Sequence, residues 1–79
     1  MDGWTMGKWI STAVLLPPDD EPVLAVVWAH GKNVRFEGAY CFAEYYPPEG
    51  WILTDWPELE IERVTHWLPL PEPPKEDER

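Results

Sequence analysis

The stretch Val23-Leu24-Ala25-Val26-Val27-Trp28-Ala29 decides the fold of this 79-residue chain. It is apolar at every position and contains several β-branched residues, a composition that favours a β-strand. A strand without polar positions is typical of a segment covered on both faces, so we predict that arrangement here. The run is much shorter than the roughly 20 apolar residues that a membrane span requires, and we expect no association with a membrane.

Ten prolines and five glycines divide the rest of the chain into short segments, which leaves little space for a long helix. Residues 31–33 and 47–50 have the composition of turns. We therefore predict a mainly β fold, a single small antiparallel sheet of about four or five strands arranged as a meander or a partly open barrel. This domain is expected to span residues 9–70, between a loose N-terminal segment (1–8) and a Pro-rich, charged, disordered tail (71–79).

Short apolar or alternating segments mark the remaining strands. They are expected at residues 9–11, 34–46, 51–54, 58–62 and 64–68. Within 34–46 the larger apolar groups mostly occupy even positions, and Gly38 marks a bulge or a break between two strands. A short helix over residues 39–46 is the competing interpretation, since Ala and Glu favour helices.

A domain this small buries only about 60% of the surface that its unfolded chain exposes, so its core must contain large side chains. Six Trp, three Tyr and two Phe meet that need. We expect Trp9, Trp28 and Trp67 in the core, with Trp4 and Trp56 exposed. The single Cys41 cannot form a disulfide within the chain, and a homo-oligomer is a further way to stabilise the fold.

The formal net charge is −9 and is unevenly distributed. Residues 1–36 contain four acids and three bases, whereas residues 37–79 contain eleven acids and three bases. Direct binding to nucleic acid is disfavoured, because phosphate contacts need a basic surface. A basic protein would instead be attracted.

The N-terminus lacks the basic and then apolar pattern of a secretion signal, so we expect a cytoplasmic protein.

Candidate catalytic and metal-binding residues are few. Cys41, His30 and His66 each stand alone in their segments, whereas zinc sites and Cys-His pairs need several such groups together. On a strand, carboxylates two residues apart are separated by about 6.6–6.8 Å, a spacing that glycosidases also use. The acids of residues 58–62 look exposed, however, and nothing would raise a pKa to make an acid catalyst. We expect no enzyme activity, no metal and no cofactor.

The acidic second half is the best candidate for partner binding. Glu58, Glu60 and Glu62 alternate with Leu59 and Ile61, so on a strand the carboxylates share one face. Such a face could imitate the phosphates of DNA, or it could be a solvated face that prevents edge aggregation. The exposed aromatics suit a protein interface or, alternatively, a glycan. The predicted partner-binding residues are Glu49, Asp55, Trp56, Glu58, Glu60 and Glu62.

Several motifs together resemble a known family. These are Trp9-Ile10-Ser11, Leu16-Pro17, Pro22-Val23-Leu24, Trp51 and the closing Val64-Thr65-His66-Trp67-Leu68-Pro69-Leu70-Pro71-Glu72-Pro73-Pro74. They resemble a family of small phage and prophage proteins known as the domain of unknown function 551. The resemblance implies a compact β-rich phage accessory protein without catalytic residues.

Small acidic phage proteins include inhibitors of host defence nucleases, among them anti-CRISPR proteins. We therefore predict a non-enzymatic protein that binds a basic host protein, such as a nucleic-acid-handling defence complex. The alternative is a structural or glycan-binding module of the virion or cell-wall apparatus.

Overall fold

The computed structural model describes residues 8–71. This part of the chain forms five β-strands and no helix. The strands are β1 (Ile10–Ser11), β2 (Val23–His30), β3 (Arg35–Tyr46), β4 (Gly50–Leu53) and β5 (Glu60–Pro69). The prediction of a mainly β, antiparallel sheet is confirmed. The alternative of a short helix at residues 39–46 is wrong, because these residues pair with β2 and β4 as part of β3. The expectations for residues 1–7 and 72–79 lie outside the described part.

The five strands form one open sheet in the order β1-β5-β2-β3-β4, and all paired neighbours are antiparallel. β2, β3 and β4 follow one another as a meander. After residues 54–59, β5 returns to the other side of β2, which is the strand order of a Greek key rather than of a complete meander. β5 extends one residue beyond its predicted end, since Pro69 pairs with Val23, and the strand stops at that proline.

One face of the sheet, which we call the inner face, holds the hydrophobic core. Alternate residues of β2 supply it, together with side chains from β3, β4 and β5. The buried residues are Val23, Ala25, Val27, Ala29, Ala43, Leu53, Leu59, Val64 and Trp67. Since successive side chains of a strand point to opposite faces, every second residue of β2 is buried on the inner face.

Two irregular segments cover the inner face. Residues 12–22 pass over Trp67, whose indole Nε1 donates a hydrogen bond of 2.9 Å to the Leu15 carbonyl. The same segment reaches β3, where the Asp20 N–H donates to the Tyr45 carbonyl. Residues 54–59 bury Leu59 and place the Trp56 ring edge-on against Phe36. These two segments act as the second layer that the core of a sheet requires.

The opposite face, which we call the outer face, carries the even residues of β2, and these are only partly buried. The prediction that β2 is covered on both faces is therefore wrong. Trp28 and Trp9 also differ from the expectation, since both are partly exposed, whereas Trp67 is buried as predicted. Within residues 8–71 no layer covers the outer face, and its apolar side chains shield one another only in part.

Gly38 forms a bulge that divides β3 into two halves. Val27 pairs with Ala39 and Trp28 with Glu37, so Gly38 has no partner on β2, and its φ is +71°. The extra residue reverses the alternation. Phe36 consequently packs against the core, while Tyr40 lies on the outer face, contrary to the expectation that the even positions share one face. Of the two interpretations of Gly38, the bulge is confirmed.

Candidate functional site

Large apolar side chains form a continuous patch on the outer face. Leu24 pairs with Phe42, and Val26 pairs with Tyr40. Trp9 extends over the same face, with its ring centroid 5.4 Å from that of Tyr40. Tyr40 is 69% exposed and Phe42 is 47% exposed. We define the apolar patch as Trp9, Leu24, Val26, Tyr40, Phe42 and Ile52.

Carboxylates gather beside this patch, at the end of the sheet where the β3–β4 hairpin turns. We define the acidic end as Asp19, Asp20, Glu21, Glu44 and Glu49. Backbone pairing places Asp19 and Asp20 next to Tyr45, and Glu49 lies in the hairpin turn. Glu44 lies opposite Ile52 on the outer face. The acidic end therefore borders the apolar patch through Glu44.

Glu44 is held in place by two neutral donors. The Tyr46 hydroxyl donates to Glu44 Oε1 at 2.6 Å, and the Thr54 hydroxyl donates to Oε2 at 3.3 Å. The bond to Glu44 raises the pKa of Tyr46, with smaller contributions from burial and from the charges of Glu44 and Asp20. Neither donor carries a positive charge, so the negative charge of Glu44 is oriented without being neutralised.

The basic residues of the described part lie elsewhere. Arg35 pairs with His30, and Arg63 pairs with Trp28, at the other end of β2, and Lys32 lies in the adjoining turn. Lys8 precedes β1, the edge strand farthest from β4. Within residues 8–71, none of these basic side chains forms an ion pair with a carboxylate of the acidic end.

The opposite end of the outer face has charges of both signs, and we call it the mixed end. His30 Nδ1 donates to Glu62 Oε2 at 2.7 Å, and Arg35 donates to the same oxygen at 3.2 Å. The bond from His30, followed by the charge of Arg35, lowers the pKa of Glu62. The Arg63 guanidinium lies 4.1 Å from the centroid of a Trp28 ring. Glu62 is thus an internal partner of basic side chains.

The residues predicted to bind a partner fall into three groups. Glu49 belongs to the acidic end. Asp55, Trp56 and Glu58 lie on the exposed connection between β4 and β5, while Glu60 and Glu62 begin β5 at the mixed end. The predicted alternation is present, since Leu59 is buried and Ile61 packs on the core, but Glu58 precedes the strand. From the rise per residue, β2 separates the two ends by roughly 20 Å or more.

Sequence reasoning missed the residues that surround Glu49. The run Asp19-Asp20-Glu21 was a visible signal, but only the fold shows that it returns to β3. Tyr40 and Phe42 also went unnamed as surface residues, because the Gly38 bulge sets which face they occupy. Ile52 is opposite Glu44 only through the β3–β4 register.

Two clefts adjoin these surfaces. A cleft of about 440 Å³ runs beside β4 at the acidic end, and we call it the β4 cleft. It is lined by Glu44, Tyr46, Glu49, Ile52, Leu53, Thr54 and Pro57. A second cleft of about 240 Å³ lies between β3 and the β4–β5 connection, lined by Leu24, Phe36, Ala39, Tyr40, Cys41, Phe42, Asp55 and Trp56. The β4 cleft combines apolar walls with two carboxylates.

The side chains considered for catalysis lie on different faces. Cys41 pairs with Ala25 and packs against the core, and burial followed by the charge of Asp55 raises its pKa. A raised thiol pKa disfavours the thiolate that nucleophilic chemistry needs. His30 and His66 follow the outer register of β2.

Residues 8–71 contain no group of three or more His, Cys, Asp or Glu side chains arranged to hold a metal ion. In the same residues, no helix is long and apolar enough to cross a membrane.

Comparison with known proteins identifies relatives. A family model described as "Protein of unknown function (DUF551)" matches residues 8–75. The chain is also similar to the "Uncharacterized 7.8 kDa protein in ral-gp17 intergenic region" of Salmonella phage P22, with 33% identity over 69 residues, which is 87% of this chain and 98% of the relative. No solved structure matches the chain. The family match includes all residues of the described sheet.

Proposed function

The chain belongs to the DUF551 family and is similar to a phage-encoded protein, and we propose that it is a non-enzymatic accessory protein that binds a basic protein of the host cytoplasm. The single observation that carries this proposal is the position of Glu44, a residue of the acidic end, next to the apolar patch on the outer face. Phe42 and Ile52 are exposed there, and Glu44 lies opposite Ile52. An apolar centre with a charged border is the usual composition of a protein interface.

The two parts of the surface have different physical roles. Exposed aromatic side chains such as Tyr40 supply most of the affinity once a partner removes them from water. The carboxylates of the acidic end attract a basic partner and increase the association rate, an effect that salt screens. A partner with basic residues around an apolar contact is therefore the class of protein that fits.

The narrower form of the proposal is inhibition of a nucleic-acid-handling defence complex by imitation of DNA. The net charge of −9 supports it, as does the absence, within residues 8–71, of an ion pair at the acidic end. Glu49 belongs to that end. Asp55, Trp56 and Glu58 extend the negative surface along the β4–β5 connection. Glu60 and Glu62 lie outside this surface, at the mixed end, where two basic side chains bind Glu62.

The test is a capture experiment with matched variants. Tagged protein, a Glu44→Gln/Glu49→Gln variant and a Phe42→Ser variant are incubated with host lysate, and each recovered protein is then purified and its binding measured directly. We expect a basic partner whose affinity falls about tenfold or more for Phe42→Ser. The carboxylate variant should mainly lose association rate at low salt.

Glu60→Gln is the matched control, since it removes one carboxylate at the mixed end and should leave binding unchanged. A partner that binds all variants equally would contradict the proposed surface. Duplex DNA should compete with the protein for the same partner if DNA imitation is correct. Simultaneous binding of DNA and protein would exclude that narrower form alone.

The second candidate function is glycan binding in a virion or cell-wall module. The observation that favours it is the cleft between β3 and the β4–β5 connection, where Tyr40, Trp56 and Asp55 line one space. Aromatic faces and a carboxylate suit the apolar faces and hydroxyls of a sugar. Titration with cell-wall sugars should then change Trp fluorescence in a manner insensitive to salt, and Trp56→Ala should abolish the change. No fluorescence change with any sugar would reject this candidate.

A further inference from the structure

β4 is an edge strand, and backbone groups on its free edge, the side away from β3, are unpaired. The Thr54 N–H donates to the Phe42 carbonyl, which makes this a hydrogen-bonded pair. Since such pairs alternate along an antiparallel ladder, Ile52 and Gly50 bond to β3, and Trp51 directs its N–H and C=O away from β3. Two hydrogen bonds agree with this alternation. The Leu53 carbonyl accepts from the Trp56 N–H and the Tyr45 carbonyl accepts from the Asp20 N–H, so neither carbonyl is used between β3 and β4.

No backbone group in residues 8–71 pairs with Trp51 on the free edge of β4. The edge is short, but it lacks two other usual protections against strand addition. β4 has no proline and no charged residue, and its sequence is Gly-Trp-Ile-Leu. An unpaired, apolar edge is the surface to which an extended peptide adds as a further strand.

The β4 cleft includes the outer-face residues of β3 and β4 next to this edge, and its lining indicates which peptide fits. Ile52, Leu53 and Pro57 supply apolar walls, and Glu44 and Glu49 supply negative charge. Glu44 is oriented by Tyr46 and Thr54 and is not neutralised. The complementary side chain has an aliphatic stem and a cationic end, as in Lys and Arg.

We propose that β4 accepts an extended segment of the partner protein as a sixth strand of the sheet, with Lys or Arg alternating with apolar residues. This inference rests on the proposed function and specifies how the partner is recognised. In an antiparallel addition, residues opposite each other share a face. Basic side chains of the segment then lie on the outer face beside Gly50 and Ile52, and their long stems extend across β4 towards Glu44 on β3. The apolar side chains lie on the inner face beside Trp51 and Leu53.

The experiment uses a capped hexapeptide that alternates Lys and Val, titrated into the full chain. Binding is followed by Trp fluorescence and by hydrogen exchange of the Trp51 amide. We expect the Trp51 amide to become protected, because it donates to the added strand. Glu44→Gln/Glu49→Gln should weaken binding about tenfold or more, while Glu60→Gln should leave it unchanged.

Two N-methylated peptides separate backbone pairing from simple charge attraction. In an antiparallel addition the residues opposite Trp51 are the valines, so N-methylation of Val should weaken binding about tenfold or more. N-methylation of Lys should have little effect, because those amides point to solvent. The opposite pattern would support a parallel addition at the same edge.

The remaining outcomes distinguish the two proposals. Equal binding of both N-methylated peptides, without protection of Trp51, would overturn strand addition. If that binding still required Glu44 and Glu49, the acidic interface of the proposed function would stand. No binding of the hexapeptide would overturn strand addition alone. Recovery of no basic partner in the capture experiment, or of a partner that binds all variants equally, would reject both.

Discussion

The two faces of β2 are made of similar residues and yet have different environments. Val23, Ala25, Val27 and Ala29 are at most 1% exposed on the inner face. Leu24, Val26 and Trp28 on the outer face are larger on average and remain partly exposed. The inner face is covered by residues 12–22 and 54–59, whereas nothing in residues 8–71 covers the outer one. Hydrophobicity therefore indicates which side chains favour burial, and the packing of the other segments determines which of them are buried.

The largest expected effect is a truncation on the inner face. Trp67→Ala should lower the free energy of unfolding by about 3–5 kcal/mol, because it leaves a cavity and removes the donor to the Leu15 carbonyl. Denaturation in urea measures the loss. Phe42→Ala is the outer-face control, and at 47% exposure it should cost less than about 1 kcal/mol. Equal losses for both variants would break the contrast between the faces.

An intermediate effect is expected at the Gly38 bulge, which sets the faces of β3. Gly38→Ala places a Cβ at a φ of +71° and only 3.3 Å from Trp28 Cζ2. The left-handed conformation costs an L-residue roughly 1–2 kcal/mol, so the free energy of unfolding should fall by about that amount. Gly38→Asn should lose less of it, since Asn tolerates this conformation better than Ala. A neutral Gly38→Ala would show that the bulge can relax.

Much of the fold could be predicted from local patterns. The turns at residues 31–33 and 47–50, the short strand β1 and the end of β5 within one residue of its predicted position all depend on short-range chemistry. The continuous apolar run gave the central strand but not its exposure. A strand that is apolar on both sides has the same sequence whether a second layer of the same chain or a partner protein covers it.

The candidate site was less accessible to sequence reasoning, because it depends on register and on distant contacts. The alternating carboxylates at Glu58–Glu62 attracted attention, but Glu62 is bound by His30 and Arg35 across the sheet. The uncompensated charge instead combines Asp19 and Asp20 with Glu44, which are more than twenty residues apart in sequence. No local period could bring these residues together.

The smallest expected effect concerns the mixed end, where the outer face has its own ion pairs. Folding lowers the pKa of Glu62 below its ordinary value of 4.5, chiefly through the bond from His30. A lowered pKa means that the ionised form is favoured by folding, so its contribution is present above pH 4.5 and is lost as the pH falls through the lowered value. The wild-type protein should therefore be slightly more stable than Glu62→Gln at neutral pH, and the difference should vanish in acid. Urea denaturation of both proteins across this pH range, at low and high salt, measures it. Glu60→Gln, on the same strand, is the matched control, and the pH dependence of Glu62→Gln relative to wild type should exceed that of the control. A difference that persists unchanged into acid would show that Glu62 acts through packing and not through its charge.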